Sequence, residues 1–187
     1  MNAMFDQGFD ASDISVQFAE MLVATADDSD DRIDQAVREV LRLLRERLNM
    51  DVIFVAEFVD GQRVFRQVNT RHKPSLLTEG QGNPLEESWC QRVADGRLPE
   101  YAPRVAVLPK HDLPKIPFEI GTYLSTAIRL SNGQIYGTLC CFSFGTSDTV
   151  RRRDMKSLKF TAQLLARKLE VRRHSDTRDT EPAGLFH

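Results

Sequence analysis

Residues 123–144 read YLSTAIRLSNGQIYGTLCCFSF, and this stretch decides the fold. Two β-rich runs, Tyr123–Leu130 and Ile135–Phe144, flank Ser131-Asn132-Gly133-Gln134. An Asn-Gly pair between such runs is the preferred signal for a two-residue type I′ hairpin. That register sets Arg129 opposite Tyr136, Ala127 opposite Thr138, Ser125 opposite Cys140 and Tyr123 opposite Phe142. Opposed residues share a face, so these eight form an aromatic face dotted with polar groups. The alternate face, with Leu124, Ile128, Leu139 and Cys141, is more apolar and is expected to lie under helices.

Working outward, Val52–Val59 and Val64–Val68 flank Asp60-Gly61, a second hairpin signal. With a two-residue loop, Glu57 faces Val64 and Val55 faces Arg66. Before it, Ile33, Val37, Val40, Leu41, Leu44 and Leu48 form one helical stripe that Asn49 closes. After it, residues 69–83 read as loop, and Leu85–Ala94 as a short helix stopped by Asp95-Gly96. Residues 97–121 hold five of the eight prolines, a long crossing loop with a brief strand expected near Val105–Leu108. A helix over 151–173 follows, striped by Met155, Leu158, Ala162, Leu165 and Leu169. A further short helix is expected at 12–26.

The order helix, hairpin, short helix, proline-rich loop, hairpin, helix specifies an α+β domain on an antiparallel sheet. At 187 residues and 41% apolar content, one sizeable core is expected. The division is an N-terminal extension with a short helix (1–30), a domain over 31–173 and a disordered tail (174–187). Apolar runs are strand-sized, far short of a bilayer span. The acidic start lacks the features of a secretory leader. Three cysteines, two of them adjacent, make no disulfide framework. A cytoplasmic setting and no membrane partner follow as expectations.

Charge is unevenly distributed. Residues 1–31 hold eight acids and no Lys or Arg, whereas residues 150–178 hold ten bases. Basic residues alone would suggest nucleic acid. With both end helices on one side of the sheet, self-complementarity is the better reading, and no nucleic-acid partner is expected.

Several segments together resemble a GAF domain over about residues 30–171. They are the strand Asp51–Phe58, the helix Pro84–Val93 leading to Gly96-Arg97-Leu98-Pro99, and the closing strand Tyr136–Phe142. The resemblance is strongest to GAF domains of bacterial signalling proteins, some fused to cyclic-di-GMP-handling domains. It implies a PAS/profilin-like antiparallel sheet of five to six strands. The N- and C-terminal helices would cover one face and commonly build a dimer, here through 31–48 and 151–173. The short helix and long loop would roof a small-molecule pocket on the other face.

The chain departs from the specialised members. The Asn-Lys-Phe-Asp-Glu set of cyclic-nucleotide-binding GAF domains is not evident, and Cys90 is followed by Gln91 rather than the His that marks bilin attachment. His111 falls where haem-binding GAF sensors can supply a ligand, but solvated loop histidine is the simpler account. No Cys/His quartet or nucleophile–base–acid set is evident, so neither metal nor catalysis is expected, and no cofactor is specified. A free methionine sulfoxide reductase would place cysteines in and beside the roof loop, and residues 97–121 contain none.

What remains is a binding face. Trp89, Tyr123, Tyr136 and Phe142 would form an aromatic lining, with Glu57, Ser125, Arg129 and Thr138 fixing a polar or anionic ligand. Cys90 is either a reactive thiol in this pocket or a small buried packing group. The function expected is non-catalytic small-molecule sensing in signal transduction. The alternatives are a structural dimerisation module with a filled pocket, and a cysteine-based redox enzyme.

Overall fold

The computed structural model describes residues 30–147 and 149–179. The short helix expected at 12–26 and the last eight residues of the tail lie outside them. Helix α1 spans Asp30–Arg47, strands β1 and β2 span Val52–Val59 and Gln62–Thr70, and β3 is Gly82–Pro84. A 3-10 turn at Leu85–Glu87 leads into helix α2, Trp89–Ala94. Strand β4 is Tyr101–Ala102, β5 is Thr122–Arg129, β6 is Ile135–Ser143, and helix α3 is Asp154–Asp179.

The six strands form one antiparallel sheet in the order β3-β2-β1-β6-β5-β4. Two expectations for the connecting segments change. The loop 69–83 ends in the edge strand β3, which pairs with Gln62–Val64. The brief strand of the proline-rich segment is Tyr101–Ala102, and Val105–Val107 is instead a 3-10 turn. The last helix begins at Asp154 and continues past residue 173 to Asp179, so the first part of the expected disordered tail is helical.

Asn49 ends α1 with φ of 50°, letting Met50 N–H reach the Arg45 carbonyl at 3.0 Å and Asn49 N–H reach Glu46 at 3.0 Å. These paired bonds satisfy carbonyls that a helix end otherwise leaves open. Asp60 and Gly61 have φ of 50° and 70°, as the two-residue β1–β2 turn requires. Glu57 pairs with Val64 as expected, but Val55 pairs with Gln67 because Arg66 is an extra, bulged residue on β2.

The β5–β6 hairpin differs in a related way. Gly133 N–H donates to the Leu130 carbonyl at 2.9 Å, and Leu130 N–H to the Gln134 carbonyl at 2.9 Å. The loop therefore has three residues rather than two. Asn132 turns its side chain back to accept from Gln134 N–H at 2.9 Å. Arg129 then pairs with Ile135, and the extra residue on β6 is Tyr136. That bulge restores the expected register beyond it: Ala127–Thr138, Ser125–Cys140 and Tyr123–Phe142 are all paired.

Two cores result, one on each face. On the helical side Leu41, Leu44, Ile53, Leu124, Leu139 and Leu158 are buried together. On the roof side Phe54, Phe65, Trp89, Tyr123, Cys140 and Phe142 are buried under α2 and the long loop. No helix among the described residues is long and apolar enough to cross a membrane.

Candidate functional site

The roof is positioned by its caps. Ser88 accepts from Gln91 N–H at 3.1 Å and donates to the Leu85 carbonyl at 2.7 Å, starting α2 so that Trp89, Cys90 and Val93 turn inward. Gly96, with φ of 81°, ends the helix in a left-handed conformation that side chains resist. The loop beyond is pinned by Arg92, which donates to the Asp112 carbonyl, and by Thr122, which donates to the Pro103 carbonyl at 2.9 Å. It returns Ile116, Phe118 and Ile120 over the sheet.

Beneath this roof the rings pack closely. Trp89 and Tyr123 centroids lie 4.9 Å apart, and Phe54 meets Phe65 edge-on at 5.1 Å. The space left is a cavity of about 40 Å³ between Arg63, Phe65, Trp89, Phe118, Tyr123 and Phe142. One or a few water-sized groups fit such a volume. Trp89 is 5% exposed, and its indole N–H has no hydrogen-bond partner among the described residues. A buried donor left unpaired costs free energy, so such groups commonly mark a water or a bound species.

Deeper in, the roof face carries a polar knot. The Cys90 and Cys140 sulfurs lie 3.6 Å apart. Around Cys140 Sγ are Ser125 Oγ at 2.9 Å, Thr138 Oγ1 at 3.2 Å and the Tyr123 hydroxyl, which donates at 3.3 Å. The Arg63 guanidinium reaches Cys90 Sγ at 3.7 Å while lying over the Phe65 ring and donating to Asn83. Burial opposes ionisation of Cys90, but Cys140, the Arg63 charge and Thr138 outweigh it and hold the thiol below its ordinary pKa. Burial pushes Cys140 and Tyr123 the other way, well above theirs. Cys141 faces the helical core and is likewise raised by burial, then by Asp154.

Of the eight residues proposed from sequence, Trp89, Cys90, Tyr123, Ser125 and Thr138 are brought together here. Three are elsewhere. The β6 bulge turns Tyr136 to the helical side, where Arg173 lies over its ring at 5.4 Å. Glu57 is on that side too, accepting from Arg66 Nε at 2.6 Å. Both border a cleft of about 470 Å³ between the sheet, α1 and α3, which the bulged Arg66 also lines. Arg129 lies exposed at the β5 edge, beside a groove shared with Glu100 and Lys159. Sequence reasoning missed Arg63 and Phe118. Alternation in β2 places Arg63 on the face of Phe65 and could have found it; Phe118 lies in a loop without periodicity.

Among the described residues no group of three or more His, Cys, Asp or Glu side chains is arranged to hold a metal ion. The cysteines are free thiols.

Solved structures share this architecture. The GAF domain of a phosphoenolpyruvate-protein phosphotransferase from Coxiella burnetii superposes with a TM-score of 0.69 at 15% identity, covering 90% of this chain and 99% of that one. The free methionine-R-sulfoxide reductase of Neisseria meningitidis, in complex with its substrate, gives 0.68 at 16%, covering 94% and 99%. A GAF sensor protein from Burkholderia vietnamiensis gives 0.65 at 12%, covering 88% and 99%. At these identities the likeness is one of fold, which hosts both regulators and enzymes. No protein of curated function matches the sequence. The GAF domain profile matches residues 32–169, the span that holds the whole sheet, the roof and the larger part of both flanking helices, and the chain therefore belongs to the GAF domain family.

Proposed function

We propose that this chain is a non-catalytic regulatory GAF domain of a cytoplasmic bacterial signalling system, sensing a small hydrogen-bond-accepting ligand under its roof. The observation that carries this reading is the unpartnered Trp89 indole N–H beside a cavity that Arg63 also lines. A buried N–H and a guanidinium suit a small anion or carbonyl compound. The cavity is far below the roughly 300 Å³ of ordinary ligand pockets, so a larger ligand requires the roof loop to move. Helices α1 and α3 pack on the other face of the same strands. In this proposal they pair in a homodimer through residues 31–48 and 151–173 and relay the change.

The close packing of Phe54, Phe65, Trp89 and Phe142 favours a second reading, a dimerisation module whose pocket is filled by its own side chains. Trp89 is the only tryptophan, so its emission reports on the site directly. Emission and thermal midpoint are measured against small carboxylates, oxyanions, amino acids and nucleotides. A ligand that binds the folded state must raise the midpoint, and one under the roof must also change Trp89 emission. Silence in both across the panel overturns sensing in favour of the filled-pocket module.

A further inference from the structure

The buried pair Cys90 and Cys140 has a geometry that neither ligand sensing nor packing requires. Cys90 comes from the short roof helix α2, and Cys140 from β6, which lies between β1 and β5 inside the sheet. Their sulfurs stand 3.6 Å apart, in contact but unbonded, whereas a disulfide closes to about 2.05 Å. Two cysteines used only as apolar filler would have apolar neighbours. These have a guanidinium 3.7 Å from Cys90 and three hydroxyls within 3.3 Å of Cys140.

We propose that Cys90 and Cys140 are a redox-active dithiol that a small hydroperoxide, such as hydrogen peroxide, converts to an intramolecular disulfide. Cys90 is the attacking sulfur, because the Arg63 charge stabilises its thiolate and the thiolate is the nucleophilic form. Cys140 is the resolving sulfur. Arg63 and Tyr123 both touch the thiol pair and line the cavity of about 40 Å³, which is room for a molecule the size of hydrogen peroxide. Attack of the Cys90 thiolate on the peroxide forms an S–O bond and breaks the O–O bond. The product is Cys90 sulfenic acid, and the departing hydroxide takes a proton and leaves as water.

Cys140 then attacks the Cys90 sulfur. An S–S bond forms, the S–O bond breaks, and the hydroxyl leaves with the Cys140 proton as a second water. The net change is two thiols and one hydrogen peroxide giving one disulfide and two waters. Closing the gap draws α2 toward β6 and shifts Trp89, the residue next to Cys90. The pair therefore couples oxidation to the roof. Cys141 points into the helical core and takes no part.

This inference does not rest on ligand sensing, and an empty ligand screen leaves it standing. The unaltered protein is treated with hydrogen peroxide, quenched with an alkylating agent under denaturing conditions, and mapped by mass spectrometry. Loss of two of the three thiols as a Cys90–Cys140 cross-link, reversed by dithiothreitol, is the expected result. Retention of all three thiols overturns the proposal. So does a cross-link through Cys141, or over-oxidation of Cys90 with Cys140 still reduced.

Two variants test the order of attack. In Cys140→Ser, peroxide should leave a Cys90 sulfenic acid that dimedone traps. Arg63→Met keeps both thiols and should slow disulfide formation at pH 7 by roughly tenfold, through the lost thiolate fraction. No trapped sulfenate, or an unchanged rate, overturns charge-activated attack by Cys90.

Discussion

The ring of Phe118, carried by the proline-rich loop, stacks on Phe142 of β6 with centroids 5.7 Å apart and planes 17° from parallel. It also meets Phe144 edge-on at 5.9 Å. Beyond its hydrogen bonds to Arg92 and Thr122, a loop with little regular structure is thus fastened to the aromatic face of the sheet by this side chain. Phe118→Ala should cost about 1–2 kcal/mol in urea unfolding, less than the 3–5 kcal/mol of a fully buried Phe. Because Phe118 and Trp89 border the same cavity, the variant should also shift Trp89 emission to the red. Unchanged emission would show that the roof stays shut without Phe118.

Gly137 tests the sheet itself. It lies on β6 between Glu57 of β1 and Ile128 of β5, and an added Cβ would fall 1.9 Å from the Ala56 carbonyl oxygen. The strand backbones must separate to admit it. Gly137→Ala should therefore destabilise by about 3 kcal/mol or more. Gly133, at φ of 82° with open space around it, is strained only by its backbone, and Gly133→Ala should cost about 1 kcal/mol. Equal losses in denaturant unfolding would contradict this account.

Two arginines on α1 should behave oppositely to the impression their bonds give. Arg38 forms a bidentate pair with Glu79 at 2.7 and 2.8 Å, but in exposed surroundings. Arg45 is 7% exposed and donates to Asn69 Oδ1 at 2.6 Å and to the Met50 carbonyl at 3.3 Å. Removing Arg45 takes the donor from the part-buried Asn69 Oδ1 and leaves the Met50 carbonyl with Arg71 alone, at 2.9 Å, so Arg45→Ala should cost about 1–2 kcal/mol. Arg38→Ala should cost about 0.5 kcal/mol and become smaller in high salt. Paired urea titrations at two salt concentrations would reveal a reversed ranking.

Tyr136 supplies a pH dependence. Burial first, and then the Glu57 carboxylate, push its phenol up to about 12. An unfolded tyrosine titrates near 10, so the folded state keeps its proton longer. The stability from neutral Tyr136 is fully present below pH ~10 and is lost as pH rises towards about 12. Tyr136→Phe should flatten the fall in thermal midpoint between pH 10 and pH ~12 relative to the unaltered chain. Tyr123 remains in both proteins, so the difference isolates Tyr136.

Much of this architecture is legible in alternation and turn chemistry. Asp60-Gly61 specifies its loop, and Ser125–Cys140 and Tyr123–Phe142 are paired as period-two reasoning predicts. The two bulges are where local reasoning stops. Asn132-Gly133 favours a two-residue loop, yet the Asn132 side chain accepts from Gln134 N–H and a three-residue turn forms. Bulging at Tyr136 absorbs the offset, so the central register survives while this one side chain changes face. The knot around Cys140 was half legible. Its strand partners follow from register and Arg63 from β2 alternation, but the approach of Cys90 to Cys140 is a tertiary contact that no local pattern records.

The outermost strands of the sheet are its shortest. Strand β3 has three residues and β4 has two. An unpaired strand edge is a template on which another chain can add itself, and its hazard grows with its length. Here β3 covers only Gln62–Val64 of β2, and β4 only Tyr123 and Leu124 of β5, so each outermost template ends after a few backbone groups. Addition of another chain onto β3 or β4 is thereby discouraged, and at the far end of β5 the exposed Arg129 sets a charge where a further strand would dock.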